Sequence, residues 1–410
     1  TLFRNGGNQM EKISAFLHRK LDNFTLDEYI IMFVVCSIFL PFEFPLLAIA
    51  GVLLYLCATG RMKGIIQAVP KSGFMIVFCI LTSAVAFFSG NILGGVCGIG
   101  ILLLMLFIFY FRTVINKRLF ELLMDACCII SLFCFAWAMM EYCRIIDRLN
   151  YSFLQLKVEN SPKDRINSTF FNANYYAMMI EFIVLICVYK MMQVKTMRRV
   201  IFYVVTIVCN LFALYLSGSR TAWIPFVVTI PFMFLINKRY GYFTASMAGI
   251  GGAGLLVLLE PKLMQRATIF QDFAKRSNIW ETAIKGIQAH PLLGEGPLTY
   301  FHIYKQYHGH PTQHAHSVYL DPILSHGIIG VLLAGVYFAG NLKEVYLLFK
   351  RRIDLRLFSL ICAFILTVLI HGILDYTVYW VQTGLLFLVV LSASSIYFHK
   401  EQPYTLHKED

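Results

Sequence analysis

The feature that most constrains this chain is its succession of long apolar runs. Two examples are "GFMIVFCILTSAVAFF" at 73–88 and "GILLLMLFIFYF" at 100–111. Such runs approach the roughly 20 residues that a membrane-spanning helix needs. A transmembrane β-barrel would instead show short segments of alternating character. Composition agrees: of 410 residues, 58% are hydrophobic and 14% charged, against about 25% charged in a soluble domain. The expected fold is an all-α polytopic membrane protein.

Twelve spans are expected, near 29–41, 45–58, 72–88, 91–112, 120–141, 174–191, 199–216, 221–236, 241–259, 318–341, 357–374 and 378–397. The first pair is broken at "PFEFP". Two tilted spans or one re-entrant unit both fit that break, and two spans are the reading taken. Residues 1–28 are polar, so the first apolar segment is expected to stay as a span rather than leave as a signal peptide. The whole of 1–410 reads as one membrane domain. It has an external loop at 142–173 and a larger one at 260–317, between spans 9 and 10, which is far longer than most connections. Within the larger loop, "RSNIWETAIKGIQAHP" places Ile279, Ala283 and Ile287 at helical spacing, with Pro291 ending the run. A helical extracytoplasmic element is expected there.

The net charge of +12 invites a nucleic-acid reading, but its distribution points elsewhere. With the N-terminus in the cytoplasm, most basic residues fall in cytoplasmic segments, among them Arg61, Arg112, Lys117, Lys190 and Arg356. The short external turns carry almost none. This is the positive-inside pattern, so no nucleic-acid partner is expected. The eleven cysteines lie mostly inside apolar runs, as in "DACCII". They have no zinc spacing and read as small packing residues.

The remaining polar residues gather toward the external face. Arg220 sits in "YLSGSRTAW" between spans 7 and 8, and Arg266 and Arg276 lie in the large loop. Arg165 precedes "INSTFFNANYYA". His314, His316 and Asp321 stand at the mouth of span 10, and His371 and Asp375 lie four residues apart at the end of span 11. Ionisable groups in or beside spans need a partner or a wet cavity, which makes them candidate functional residues. Ordinary roles compete. Arg220 could snorkel to headgroups, and Lys262, Lys275 and Lys285 read as solvated. His308 and His310 read as loop surface, and His326 as a satisfied core histidine. His371 and Asp375 could form a structural bond. The histidine spacings suit neither a helical nor a closed zinc site, so no metal and no cofactor are expected.

Outward-facing arginines suit an anion, because guanidinium binds phosphate oxygens bidentately and stays charged. A nearby histidine can take a proton from a hydroxyl near neutral pH. At a membrane surface these parts fit group transfer from a lipid-linked phosphate or diphosphate.

The motifs resemble those of the O-antigen ligase and polysaccharide polymerase superfamily. His316-Ser317, nine residues, then Gly327-Ile-Ile-Gly330 resembles its H-[NSQT]-x9-G-x-x-G signature, with Ser317 where many members have Asn. "RSNIWETAIKGIQAHPLLGEGP", "LSGSRTAW" and "RINSTFFNANYYA" resemble three further blocks in the same order. The resemblance implies a GT-C-like, metal-independent, inverting glycosyltransferase in the bacterial cytoplasmic membrane, acting on its extracytoplasmic face with both termini cytoplasmic. It implies an undecaprenyl-diphosphate-linked glycan as donor and a glycan or lipid-glycan hydroxyl as acceptor. His316 would be the base on the acceptor. Arg220 and Arg276 would clamp the diphosphate. Arg266, Arg165, His314, Asp321, His371 and Asp375 stand behind them. Gly327 and Gly330 would let another helix pack closely on span 10. A polysaccharide flippase or exporter is the competing reading. It calls for charges along a midplane cavity and for repeats, which the sequence lacks. A non-catalytic membrane scaffold leaves the arginines and histidines unexplained.

Overall fold

The computed structural model describes residues 24–158, 161–260 and 269–398. Every regular element among them is helical. In chain order these are α1 (Leu26–Ser37), α2 (Glu43–Ala58), α3 (Met62–Ala68), α4 (Ser72–Phe88), α5 (Ile92–Val114), α6 (Lys117–Arg148), α7 (Ala173–Met191), α8 (Met197–Ser217), α9 (Ile224–Ile236), α10 (Tyr240–Leu259), α11 (Ile269–Ala289), α12 (Thr299–Ile303), α13 (Asp321–Lys350), α14 (Leu355–His371) and α15 (Val381–Leu391). Among the described residues, seven helices are long and apolar enough to cross a membrane: α5, α6, α7, α8, α10, α13 and Val381–Phe398. The α2–α3 pair, bent by 103°, makes an eighth if it counts as one span. The helices at 72–88, 221–236 and 355–371 are apolar but shorter.

Two helices overrun the ends that hydropathy sets. α6 continues to Arg148 and α13 to Lys350, beyond the expected 141 and 341. Polar contacts hold the extra turns of α13. Glu344 accepts from Arg112, a wholly buried guanidinium, at 2.7 Å, and from Ser394 at 2.8 Å.

α7 is the central helix. Every residue from Tyr175 to Lys190 is buried, which fits a helix that is apolar on all sides. Phe182 stacks on Phe364 of α14 with ring centres 4.3 Å apart. α10 is the opposite case and buries none of its residues.

The basic residues of the turns at one end of the bundle are tied down. Arg61 grips Asp27 with two hydrogen bonds of 2.9 and 2.7 Å. Lys117 pairs with Asp354 at 2.9 Å and Lys190 with Glu121 at 2.7 Å. All eleven cysteines are free thiols, including Cys128 and Cys187, whose sulfurs lie 3.5 Å apart.

The segment joining α10 to α13 contains the expected amphipathic helix, α11. Its Ile279 and Ala283 are buried with Tyr300, Ile303, Ala315 and Leu324 in a small core of their own. The following "HPLLGEG" strap is bonded to α13 where that helix breaks. Gly327 has φ 60° and ψ −178°, a conformation essentially confined to glycine. The amides of Ile328 and Ile329, freed by the break, donate to Pro291 O and Leu292 O at 3.0 Å each, and Gly296 N donates to Ser325 O at 2.7 Å. The expectation that Gly327 makes room for a helix is therefore corrected. A Cβ there would lie 2.3 Å from the Leu292 backbone, so the residue makes room for a loop. Gly330 does face another helix, toward Phe78 of α4. His326 is a satisfied core histidine, with Nδ1 2.6 Å from Thr82 Oγ1.

Candidate active site

The "SGSRT" stretch is a helix stop followed by a tight turn. Gly218 adopts φ 65° and ends α8 by donating its amide to Tyr215 O, the left-handed cap that glycine favours. A short 3-10 turn over Thr221–Trp223 then leads into α9. Arg220 and Thr221 are thereby held at the mouth between the two helices. The "NAN" stretch acts similarly at α7. The Asn172 side chain caps the helix by accepting from the amides of Asn174 and Tyr175. This fixes Asn174 in the first turn.

A cavity of about 1480 Å³ opens at this mouth. Arg165, Arg220, Lys275, Arg276, Asn174 and His316 line its polar end. Among the described residues that line it there is no carboxylate. The remainder is an apolar arm between α7, α8, α9 and α10, with Val188, Leu211, Phe234 and Val257 among its walls. From Thr221 to Phe234 the arm follows α9 for about 20 Å at 1.5 Å per residue. Arg165 is positioned by two bonds, from Nε to Ser217 O at 2.6 Å and from NH2 to Asn174 Oδ1 at 2.8 Å.

His316 reaches this end on a rigid loop. Its φ of 48° is left-handed, a strained setting for a residue with a Cβ. Hydrogen bonds hold the loop there. Ala315 N donates to Asp321 Oδ2 at 2.7 Å, and Val318 N donates to Gly372 O at 2.8 Å. His316 Nδ1 donates to Asp375 Oδ1 at 2.7 Å, and its Nε2 accepts from Thr312 Oγ1 at 3.0 Å. Asp375 is wholly buried behind it and also accepts from Asn174 Nδ2 at 2.6 Å and Tyr376 N at 2.8 Å. Burial alone would raise the Asp375 carboxyl; the electrostatic pull and hydrogen bond of His316, with the neighbouring His314 and His371 rings, overcome it and hold the group well below the usual carboxylate range. An ionised aspartate on Nδ1 directs the Nε2 lone pair toward the cavity, the arrangement a general base needs.

The three donors His314, His316 and Asp375 lie close enough to hold a metal ion, but their proton arrangement disfavours it. The His316 amide donates to His314 Nδ1 at 3.2 Å. That bond assigns the neutral His314 proton to Nε2, the nitrogen that would have to ligate. Burial, with the neighbouring His316 charge, pushes His314 down to about 3 against the opposing pull of Asp375. His314 is thus a neutral support for the His316 backbone. Its burial makes stability depend on pH. The unfolded chain binds a proton near pH 6.5 that the fold refuses until about 3, so stability falls as pH drops below about 6.5, by up to about 1.4 kcal/mol per unit. The melting temperature is expected to drop between pH 6.5 and 4.5, and His314→Gln is expected to flatten that drop. An unchanged slope would show that another group carries it.

The remaining candidates divide. Arg220, Arg276 and Arg165 share the cavity with His316. Asp321 does not line it; its carboxylate holds Ala315 N and Ser325 Oγ, a supporting role in the loop. His371 does not bond the Asp375 side chain. It pairs instead with Glu181 at 2.8 Å, so the structural bond considered between His371 and Asp375 is replaced by two crossed pairs. Arg266 lies outside the described residues. Four participants were absent from the expected set: Asn174, Thr312, Glu181 and Lys275, which was read as solvated but lines the cavity. Glu181, a lone acid inside "MMIEFIVLIC", carried a readable signal, because an acid within a span needs a partner. Thr312 carried none.

No curated protein matches the chain. Residues 205–335 match the family model described as O-antigen ligase. That stretch contains Arg220, Arg276, Thr312 and His316, and so most of the polar end of the cavity. The match, over about a third of the chain, supports the O-antigen ligase superfamily that the motifs resemble.

Proposed function

We propose that the chain is an inverting, metal-independent glycosyltransferase. It takes a glycan from an undecaprenyl-diphosphate carrier and passes it to an acceptor hydroxyl. The observation that carries this reading is the shape and charge of the single cavity at the site. One end presents Arg165, Arg220, Lys275 and Arg276 without an acid, and the rest is apolar. An amphiphile with an anionic head and a long hydrocarbon tail matches both ends. Arginines suit a diphosphate because they bind its oxygens bidentately and stay charged. The arm of about 20 Å, at 1.5 Å per residue along α9, can take the head-proximal part of a polyprenyl tail.

In this reading the acceptor hydroxyl displaces Thr312 Oγ1 from His316 Nε2. His316 takes the acceptor proton while Asp375 stabilises the imidazolium that forms. The acceptor oxygen attacks the anomeric carbon from the face opposite the diphosphate. The arginines stabilise the charge on the departing group. α10 buries none of its own residues, which suits a wall that lets the lipid enter sideways from the bilayer.

The same reading places twelve crossings in the bacterial cytoplasmic membrane, with both termini cytoplasmic and the cavity mouth external. The support is that the paired bases Arg61, Lys117 and Lys190 occupy the opposite end of the bundle from Arg165 and Arg220. Segment 260–317 then forms an external loop that carries Arg276 and His316. A flippase would place its charges midway along the cavity rather than at one mouth.

The test is transfer in proteoliposomes supplied with a lipid-diphosphate-linked repeat unit, read on a gel. A ladder of products is expected if the acceptor is the growing glycan, and one added unit on a supplied lipid acceptor if the enzyme is a ligase. Movement of the donor across the bilayer without any new glycosidic bond would overturn the proposal in favour of a flippase.

A further inference from the structure

Behind the arginines lies a second carboxylate–imidazole pair, which the mechanism above does not use. Glu181, midway along α7, and His371, the last residue of α14, have wholly buried side chains and meet at 2.8 Å. A carboxylate inside a span is costly to bury. Glu181 Oε1 has no hydrogen-bond partner, which adds to that cost. Tethering α7 to α14 does not require such a pair, since Phe182 and Phe364 already stack across the same interface. The pair leads outward instead. His371 Nε2 lies 3.5 Å from Thr221 Oγ1, and Thr221 lines the cavity next to Arg220.

Two chains of the same composition therefore end on one cavity: Asp375–His316–Thr312 and Glu181–His371–Thr221. Their surroundings differ. His316 is partly exposed at the mouth, while His371 and Glu181 are sealed off. His316 can therefore exchange a proton with an incoming acceptor. His371 reaches the cavity through the Thr221 hydroxyl.

We infer that Glu181, His371 and Thr221 form the leaving-group arm of the site, with the Thr221 hydroxyl donating a hydrogen bond to the departing diphosphate. In this arm His371 Nδ1 bonds Glu181 and Nε2 carries a proton. Nε2–H then donates to Thr221 Oγ1, and this turns the Thr221 O–H toward the cavity. The inference rests on the transferase reading. As the acceptor oxygen–C1 bond forms, the acceptor proton passes to His316 Nε2. The bond from C1 to the phosphate oxygen breaks, and its electron pair stays on the diphosphate. No proton leaves Thr221; its hydrogen bond strengthens as that charge develops, which is when a preorganised donor lowers the barrier. Thr221 is the catalytic residue of this arm, and His371 and Glu181 position it.

The test compares Thr221→Val, which removes the hydroxyl at nearly constant size, with Thr221→Ser, which keeps it. Thr221→Val is expected to lower kcat about 100-fold while the donor KM moves less than about 3-fold, the pattern of an interaction made in the transition state. Thr221→Ser is expected to recover most of that loss. His371→Asn should resemble Thr221→Val, and the double variant should be no slower than the slower single, because the members act as a unit. If His371→Asn fails to fold, its unpaired Glu181 being the reason, the valine and serine variants decide the matter alone. A Thr221→Val enzyme within about 3-fold of wild type overturns the inference, as does a serine variant as slow as the valine one, and both leave the transferase reading standing. Wild-type protein that forms no glycosidic bond overturns both.

Discussion

His316→Ala is expected to abolish measurable glycan transfer, with kcat falling by about two to four orders of magnitude, the range for loss of a positioned general base. The donor KM should change little, since His316 contributes one contact to a site dominated by arginines. The more informative variant is Asp375→Asn. It preserves shape and burial but presents an amide to Nδ1. Tyr376 N donates to the same oxygen as His316, Oδ1, and Asn174 Nδ2 donates to Oδ2, so an asparagine keeps one acceptor where the site uses two and carries no negative charge. His316 then loses the carboxylate that fixes its proton on Nδ1 and that stabilises the imidazolium formed when it takes the acceptor proton. Asp375→Asn is therefore expected to lower kcat nearly as far as His316→Ala, and the double variant to be no worse than either. Initial rates at saturating donor, with thermal melts to confirm folding, check this. Independent, multiplying losses would mean that the two residues do not act as a pair. Full activity in His316→Ala would remove the base from the mechanism altogether.

What the sequence disclosed and what it hid divide along a physical line. Apolar length and helical period are local properties, and a helix covers most of every expected span. The end of α13 was misjudged because its extra turns are held by polar partners distant in sequence, Glu344 by Arg112 and Ser394. The site shows the same division. Helical spacing suggested His371 with Asp375, since residues four apart share a helix face. The fold ends α14 at His371 and turns Asp375 away toward His316, 59 residues back along the chain. His371 then meets Glu181, 190 residues away. No local pattern encodes such crossings. Arg220 and Arg276 were legible because each sits beside a small-residue turn or on an amphipathic helix. Thr312 was not, because its role lies in a 3.0 Å contact alone.

Gly327→Ala is expected to have a large effect for the addition of one methyl. The residue sits at φ 60° and ψ −178°, where a Cβ is strained by about 1–3 kcal/mol before any contact is considered. The added carbon would also lie 2.3 Å from the carbonyl of Leu292 and 2.4 Å from the amide of Leu293. These are backbone atoms and cannot swing aside. Relief requires the strap to leave α13, with loss of the Pro291–Ile328, Leu292–Ile329 and Ser325–Gly296 hydrogen bonds. The strap follows α11, whose Arg276 lines the cavity, and the small core of α11 also holds Ala315, next to His316. Undocking it displaces a proposed clamp and the proposed base together. A fall in melting temperature and a loss of transfer of at least about 10-fold are therefore expected, since misplacement by about 1 Å can cost 100-fold. Gly335→Ala, eight residues along the same helix, is the control. No atom lies within 4 Å of its added Cβ, and alanine there gains about 0.5–1 kcal/mol of helix propensity over glycine. If both variants melt and turn over alike, the break at Gly327 is not what docks the strap, and His316 must owe its placement to the loop's own bonds to Asp321 and Gly372.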